Sequence, residues 1–247
     1  MKENEVDPLL NENEEQIKKM EELKIDQLIK KGFIYKVYSL LLIQLALTFG
    51  FVVMGNEIKA LSNFLLNHFI IYIIIVFIPL IILIYFIYKP EKTRQVPLNY
   101  ILLFVFTLSE GYTLTRFTLD FQKKSIYFSM LLTLIAVLTL TIYAYKTKKD
   151  FTILGGTLWV FLTLLIIGEI INLFLRIKLL YFIFNIIGIC LFSIYIIYDT
   201  QLIIGEKSYK LSEDDYILAV INLYLDIIIL FTEILSVFSQ KKMKNLI

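Results

Sequence analysis

From residue 33 to its C-terminal region, the chain alternates long apolar runs with short polar segments. Each run is about as long as the roughly 20 residues that an α-helix needs to cross the hydrocarbon core of a bilayer. The pattern therefore predicts seven membrane-spanning helices. Their expected limits are 33–54, 69–88, 98–116, 126–145, 151–175, 179–204 and 216–238.

Polar residues dominate the chain outside these runs. Residues 1–31 are rich in Glu, Asn and Lys, and we expect a cytoplasmic tail that is solvated or whose later half lies as a helix on the membrane surface. Residues 240–247 form a short basic tail. Because no internal repeat divides residues 32–239, we interpret them as one transmembrane domain.

The composition excludes several classes of function. Hydrophobic residues make up 58% of the 247 residues, which is more than one soluble core can hide. A net charge of +2 gives no electrostatic reason to expect nucleic-acid binding. One cysteine and one histidine exclude a disulfide framework and most metal or imidazole chemistry, and the motifs HExxH and GxSxG are absent. We therefore expect no enzymatic activity and no cofactor.

Lysine and arginine are more frequent in the loops predicted on the side of the N-terminus, which favours a cytoplasmic N-terminus. The last apolar run carries two acids, Asp226 and Glu233. Non-spanning backbone is tolerated at membrane depth only where protein or water surrounds it. The sequence thus leaves open whether this last segment spans the membrane or re-enters it.

Two aspartates stand inside the last two apolar runs, Asp199 in the sixth and Asp226 in the seventh. An ionised aspartate at bilayer depth costs roughly 2.5 to 3.5 kcal/mol on insertion scales, so such residues normally face a partner, a cavity or an ion path. If the seventh helix is central, the two carboxyl groups meet and would share a proton. The pair would then be a proton-sensitive latch and, when both are ionised, a transient site for Ca²⁺. Alternatively, each aspartate only hydrogen-bonds a neighbouring helix and stabilises the bundle.

Three further acids lie in predicted spans and are candidates for an ion pathway: Glu110 in the third, Glu169 in the fifth and Glu233 in the seventh. Local ion pairs are the alternative explanation for two of them. Arg176 follows Glu169 by about two helical turns, and Arg116 follows Glu110 near the end of its span.

Three of these segments resemble the Bax inhibitor-1 superfamily. They are FTLSEGYT around Glu110, FSIYIIYDTQLIIG around Asp199 and LSEDDYILAVINLYLDIIILF around Asp226. Within the superfamily, the chain is similar to the Lifeguard or Golgi anti-apoptotic protein branch of the transmembrane Bax inhibitor motif proteins. The resemblance implies an all-α integral membrane protein, a seven-helix bundle whose last helix is central.

The resemblance also implies roles for individual residues. Asp199 and Asp226 match the paired aspartates proposed as pH sensor and pore latch, and Glu110 matches an acid of the third span. Asp214, in the turn before the last segment, matches an acid linked to conduction. Bacterial relatives tether their aspartates with an arginine from an earlier helix, and this sequence has no arginine at mid-span.

The function that the resemblance implies is a pH-sensitive calcium leak channel of an intracellular membrane, which modulates stored Ca²⁺ and inhibits cell death. We expect the endoplasmic reticulum or the Golgi, with the plasma membrane or another organelle as alternatives. Two other functions fit the same residues: a non-conducting adaptor that binds death regulators or Ca²⁺-release channels, and a proton-coupled cation exchanger. The expected partners are the lipid bilayer, Ca²⁺ and protons.

Overall fold

The computed structural model describes residues 8–238, with side chains from residue 16 onwards. The basic tail predicted at 240–247 lies outside the described residues. Within the described part, nine α-helices form and no strand occurs. The helices are α1 (Pro8–Glu57), α2 (Lys59–Asn67), α3 (Phe69–Tyr88), α4 (Pro90–Thr93), α5 (Leu98–Thr118), α6 (Lys123–Lys146), α7 (Gly155–Leu175), α8 (Lys178–Ile204) and α9 (Tyr216–Phe238).

Seven of these helices correspond to the predicted spans. Six of them, α1, α3, α6, α7, α8 and α9, are long and apolar enough to cross a membrane. The seventh, α5, has 21 residues, but Asn, Ser, Thr and Glu side chains make it more polar. The prediction of an all-helical membrane protein is confirmed.

The centre of the bundle is occupied by α9. In its most apolar 18-residue stretch 72% of the residues are buried, compared with 17% to 33% in the other five apolar helices. It contacts α1, α5, α6 and α8, so it is surrounded by protein rather than by lipid. The prediction of a central last helix is thus confirmed.

The last segment also runs the whole length of the bundle. At its start the Tyr216 hydroxyl accepts a hydrogen bond from Asn99, in the first turn of α5. Near its end Ser236 accepts a hydrogen bond of 3.1 Å from Tyr181, in the first turn of α8. Its 23 residues span about 34 Å at 1.5 Å per residue, enough for the hydrocarbon core. Of the two alternatives, the structure therefore favours a spanning helix over a re-entrant one.

The bundle has two ends, which we name after residues in their turns. The Asp214 end contains the α6–α7 turn and the α8–α9 turn. The Arg176 end contains the α5–α6 turn and the α7–α8 turn.

The polar N-terminal segment is helical from Pro8 onwards and continues into the first span without a break. No glycine or proline interrupts residues 9–31, which explains why the helix does not end there. Its side chains from Gln16 to Ile29 are exposed. The division of the chain at residue 31 stays a prediction.

Candidate functional site

Asp199 and Asp226 meet in the interior of the bundle. The residues are only 5% and 6% exposed, and their carboxyl groups lie close enough for a hydrogen bond between them. An ionised carboxylate can only accept hydrogen bonds, so a bond between two carboxyl groups requires one of them to carry a proton. The geometry thus suits a pair that shares one proton.

The surroundings of the pair supply no positive charge. Among the described residues, no salt bridge reaches Asp199 or Asp226. No N–H or hydroxyl group of the same residues donates to Oδ2 of Asp226. Tyr195, one turn before Asp199, lies near both carboxyl groups and adds a polar but uncharged neighbour. A proton shared by the pair would remove the repulsion between two carboxylates that are this close.

Two residues beyond Asp199, the side chain of Gln201 fastens α8 to the α6–α7 turn. Its Oε1 accepts a hydrogen bond of 2.8 Å from the backbone N–H of Phe151, and its Nε2 donates to the carbonyl of Lys149 at 3.0 Å. Gln201 is 1% exposed. We call this contact between residues 149–152 and 201–209 the cap, since it joins two turns at the Asp214 end of the bundle.

The outer part of the cap is built around Asp150. Its carboxylate accepts hydrogen bonds from the Thr152 hydroxyl at 2.6 Å and from the Ser208 backbone N–H at 3.1 Å. The hydrogen bonds from Ser208 and Thr152 lower the pKa of the Asp150 carboxyl from its usual value to about 2. Asp150 is therefore ionised throughout the physiological pH range.

The sequence indicates Gln201 as a further hydrogen-bonding group beside Asp199 but not its partners, and sequence reasoning missed Asp150. A local signal existed for Asp150. In the pattern Asp-x-Thr before a helix, the aspartate carboxylate typically accepts a hydrogen bond from the backbone N–H two residues later. No local signal existed for the partners of Gln201, which lie about 50 residues away in the sequence.

Asp214 lies apart from the other predicted site residues. It is exposed, and its backbone N–H donates to the Ser212 hydroxyl at 3.4 Å. The neighbouring Asp215 makes the stronger contact, with both oxygens accepting from the Arg94 guanidinium at 2.8 Å. The ammonium group of Lys36 also lies 3.3 Å from the centre of the Tyr216 ring. These contacts fix the start of α9.

A partly open cavity of about 1430 Å³ lies between α5, α7, α8 and α9 at the Arg176 end. Its wall includes the three other predicted intramembrane acids, Glu110, Glu169 and Glu233. Arg176 and Lys178 of the α7–α8 turn also line it, and most of the remaining wall is apolar. The structure thus groups the predicted acids in two places, the aspartate pair and this cavity.

Glu233 is the most buried acid of the cavity, at 7% exposed. Its carboxyl group packs against Gly188 of α8, where a Cβ atom would lie 2.7 Å from Cδ of Glu233. A larger residue at position 188 would therefore make the Glu233 carboxyl group shift away from α8. Its Oε2 has no hydrogen-bond partner among the described residues. Glu169 is exposed and lies close enough to interact electrostatically with Glu233.

The local ion pairs that spacing suggested for two of these acids are wrong. Arg116 forms its salt bridge with Asp120 at 3.6 Å, not with Glu110. Within residues 16–238, Arg176 forms no salt bridge with Glu169 or any other acid. Arg176 does not pair with Glu169 because it no longer belongs to the regular helix. It ends α7 in the left-handed conformation, with φ of 55°, so helical spacing does not place it beside Glu169.

A group of buried side chains, which we call the packed layer, lies between Glu233 and Asp226 on α9. Glu233 follows Asp226 by seven residues, or about 10 Å along α9. Between them Leu230 and Phe231 are completely buried, and neither aspartate lines the cavity. Phe231 also packs edge to face against Phe49 of α1, with ring centres 5.3 Å apart. The cavity wall also includes Ile228 and Ile229, so the cavity extends along α9 past Leu230 and Phe231 towards Asp226.

Residues 30–243 match the family model described as "Inhibitor of apoptosis-promoting Bax1". This range includes both aspartates, the cap and every acid of the cavity.

Three relatives illustrate the similarity. Protein lifeguard 3 of Mus musculus is 26% identical over 200 residues, which is 79% of this chain and 65% of that protein. Protein lifeguard 3 of Homo sapiens is 28% identical over 202 residues, 79% of this chain and 64% of that protein. An uncharacterised protein of Campylobacter jejuni is 36% identical over 118 residues, 46% of this chain and 51% of the relative. The match thus spans slightly less than two thirds of the length of the lifeguard proteins.

Proposed function

Because the chain belongs to the family of inhibitors of apoptosis-promoting Bax1, we propose that it is a pH-sensitive calcium leak channel of an intracellular membrane. It is a multi-pass membrane protein of a family of apoptosis inhibitors. The proposed channel lies in the endoplasmic reticulum or the Golgi with its N-terminus in the cytoplasm. There it would lower the store of Ca²⁺ and so protect against cell death.

The observation that carries the proposal is the hydrogen-bonded, uncompensated pair of Asp199 and Asp226. Loss of the shared proton would leave two negative charges in contact. Two unit charges 4 Å apart repel by about 4 kcal/mol at an effective dielectric constant of 20. That is large enough to shift two packed helices, so deprotonation would push α9 away from α8.

A movement of α9 away from α8 would open a path for Ca²⁺ from the cavity to the Asp214 end. Ca²⁺ would enter the cavity at the Arg176 end, where carboxylates attract cations. The layer that contains Leu230 and Phe231 is the first barrier, and the cap at the Asp214 end is the second. Displacement of α9 would disturb both, because α9 carries the layer and follows directly from the α8–α9 turn. The expected flux therefore rises as pH rises through the titration of the pair.

Passive Ca²⁺ flux into liposomes that contain the purified protein tests this proposal. We would measure it between about pH 5 and 8 for the wild type, Asp199→Asn, Asp226→Asn and the double variant. We expect one coupled titration in the wild type and loss of the pH response in each single variant. The double variant should add little, because the two residues act as one unit.

Asp26→Asn is the matched control, since Asp26 is exposed on α1, and it should keep the full response. A full pH response in both single variants would contradict the latch.

The shared proton also favours a second candidate, a proton-coupled cation exchanger. A pair that releases its proton when it binds a cation could exchange the two across the membrane. An exchanger would need a proton gradient for net Ca²⁺ transport, whereas a leak channel conducts without one. The same liposomes, with and without a pH gradient, separate the two.

A further inference from the structure

Among the described residues, the carboxyl group of Glu233 has no cationic partner that would balance a negative charge. Its carboxyl group is buried at membrane depth, and Oε2 has no hydrogen-bond partner. Arg176 and Lys178 line the same cavity, yet neither forms a salt bridge with it. A carboxylate in such surroundings must either take a proton or bind a cation.

The neighbours of Glu233 favour the cation. Glu169, on α7, faces the same cavity and brings a second carboxylate near the first. Asn185, one turn before Gly188 on α8, is buried at the cavity wall. Its amide nitrogen donates to the carbonyl of Tyr181, so its amide oxygen is the part that can bind a cation. Two carboxylates and an amide oxygen are the ligands that hard divalent cations prefer.

We propose that Glu233, Glu169 and Asn185 form a binding site for a divalent cation of the Ca²⁺ type, separate from the aspartate pair. Gly188 is its positioning residue, because the missing side chain lets the Glu233 carboxyl group lie against α8.

The water molecules that a bound cation would keep determine the affinity that we expect for Ca²⁺. Among the described residues, no three His, Cys, Asp or Glu side chains come close enough together to hold a metal ion alone. The cation must therefore keep several water molecules, for which the cavity of about 1430 Å³ has room. Ca²⁺ accepts mixed protein and water ligands, and sites with few charged ligands bind it with dissociation constants on the order of 10⁻⁴ to 10⁻³ M. Such affinity suits a membrane compartment rich in Ca²⁺.

The role of this site as the loading site of a conduction path rests on the proposed function. Cation binding itself does not, because it requires neither an open path nor movement of α9. Binding and flux therefore have to be measured separately.

The binding experiment uses the full chain in lipid nanodiscs and Ca²⁺ itself as the probe, by calorimetric titration. It is done in the wild type and in the Asp199→Asn/Asp226→Asn background, which removes the pair as a competing site. In both backgrounds, Glu233→Gln should weaken Ca²⁺ binding about tenfold or more, as expected for the loss of a charged ligand. Glu169→Gln should weaken it less, because Glu169 is exposed and its place can be taken by water.

Two variants keep the charge and test the geometry. Gly188→Ala should weaken binding, since its Cβ would displace the carboxyl group of Glu233. Glu233→Asp, which withdraws the carboxylate by one methylene group, should do the same without adding bulk to α8. Glu91→Gln is the control, because Glu91 is an exposed acid at the opposite end of the bundle, and it should bind like the wild type.

Unchanged Ca²⁺ affinity in Glu233→Gln would overturn the site and indicate that the carboxyl group is simply protonated. Binding that disappears only when Asp199 and Asp226 are neutralised would overturn it too. Binding that depends on Glu233 in a protein without flux would support the site and contradict the leak channel. The reverse result is a pH-dependent flux in a protein whose Ca²⁺ binding does not depend on Glu233. It would support the leak channel and contradict the proposed cation site.

Discussion

The two acidic clusters of the bundle use the same two helices but differ in their surroundings. At the aspartate pair, the two buried carboxyl groups lie next to each other, and neither lines the cavity. Two turns further along α9, Glu233 faces a glycine on α8 and a cavity large enough for many water molecules.

This difference explains why chemically similar side chains suit different tasks. At the pair, the two buried carboxyl groups are close enough to share a proton. In the cavity there is room for a hydrated ion, so the carboxylates can bind a cation without removing all of its water. In the functions that we propose, the packing between helices decides whether an intramembrane acid senses pH or binds ions.

The largest effect is expected from removing the layer that keeps the clusters apart. Phe231→Ala should lower the free energy of unfolding by about 3 to 5 kcal/mol, because Phe231 is completely buried and its loss leaves a cavity. It should also raise Ca²⁺ flux at pH 5 towards the flux at pH 8, since the path would then be open without deprotonation. Equilibrium unfolding in mixed micelles and liposome flux measure the two effects.

Phe77→Ala is the control for Phe231→Ala, because Phe77 is exposed on α3 and has little packing to lose. A flux at pH 5 that does not differ between the two variants would show that the layer is not a barrier.

A smaller effect is expected from loosening the cap. Gln201→Ala leaves the Phe151 N–H and the Lys149 carbonyl without their partner, which costs about 1 to 3 kcal/mol when such groups stay buried. Backbone hydrogen exchange in residues 147–154 should increase, and that in α3 should not. Gln95→Ala, an exposed position, serves as control. Unchanged exchange in the turn would argue against a closing role for Gln201.

The smallest effect, and the sharpest test of which cluster senses pH, comes from Asp150. The hydrogen bonds of Asp150 lower its folded-state pKa to about 2, so the stability that it contributes is present above its unfolded pKa of about 4. That contribution is lost only as pH falls from about 4 to 2. Asp150→Asn should therefore leave the shape of the flux profile between pH 5 and 8 unchanged. A shifted midpoint in that range would move the pH sensor from the pair to the cap.

The sequence predicted the spans well because each apolar run ends at charged or turn-forming residues. The predicted limits 69–88 and 216–238 are those of α3 and α9, and α8 begins one residue before the predicted 179. The short helix α2 lies in a segment predicted as a loop, since nine residues are too few for a span signal. The pairing of Asp199 with Asp226 followed from a central α9. The spacing of Asn222, Asp226 and Glu233, which puts three polar residues on one face of that helix, indicated this position.

Contacts between distant helices could not be predicted in the same way. The position of Glu233 against Gly188 depends on how α8 and α9 are rotated, and the sequence periodicity of one helix does not fix its rotation against another. The salt bridge of Arg116 is a different case, because spacing within one helix does indicate it. Asp120 follows Arg116 by four residues, a spacing that places two side chains on one helical face, whereas Glu110 precedes Arg116 by six.

The central position of α9 has a consequence for biogenesis. This helix leaves the ribosome after α1, α5, α6 and α8, which together form its surroundings. Alone in lipid it would expose Asp226 and Glu233 at membrane depth, at a cost of several kcal/mol. Its insertion should thus depend on the earlier helices and complete the assembly, and a chain whose first helices misassemble should leave α9 as a recognisable signal for membrane quality control.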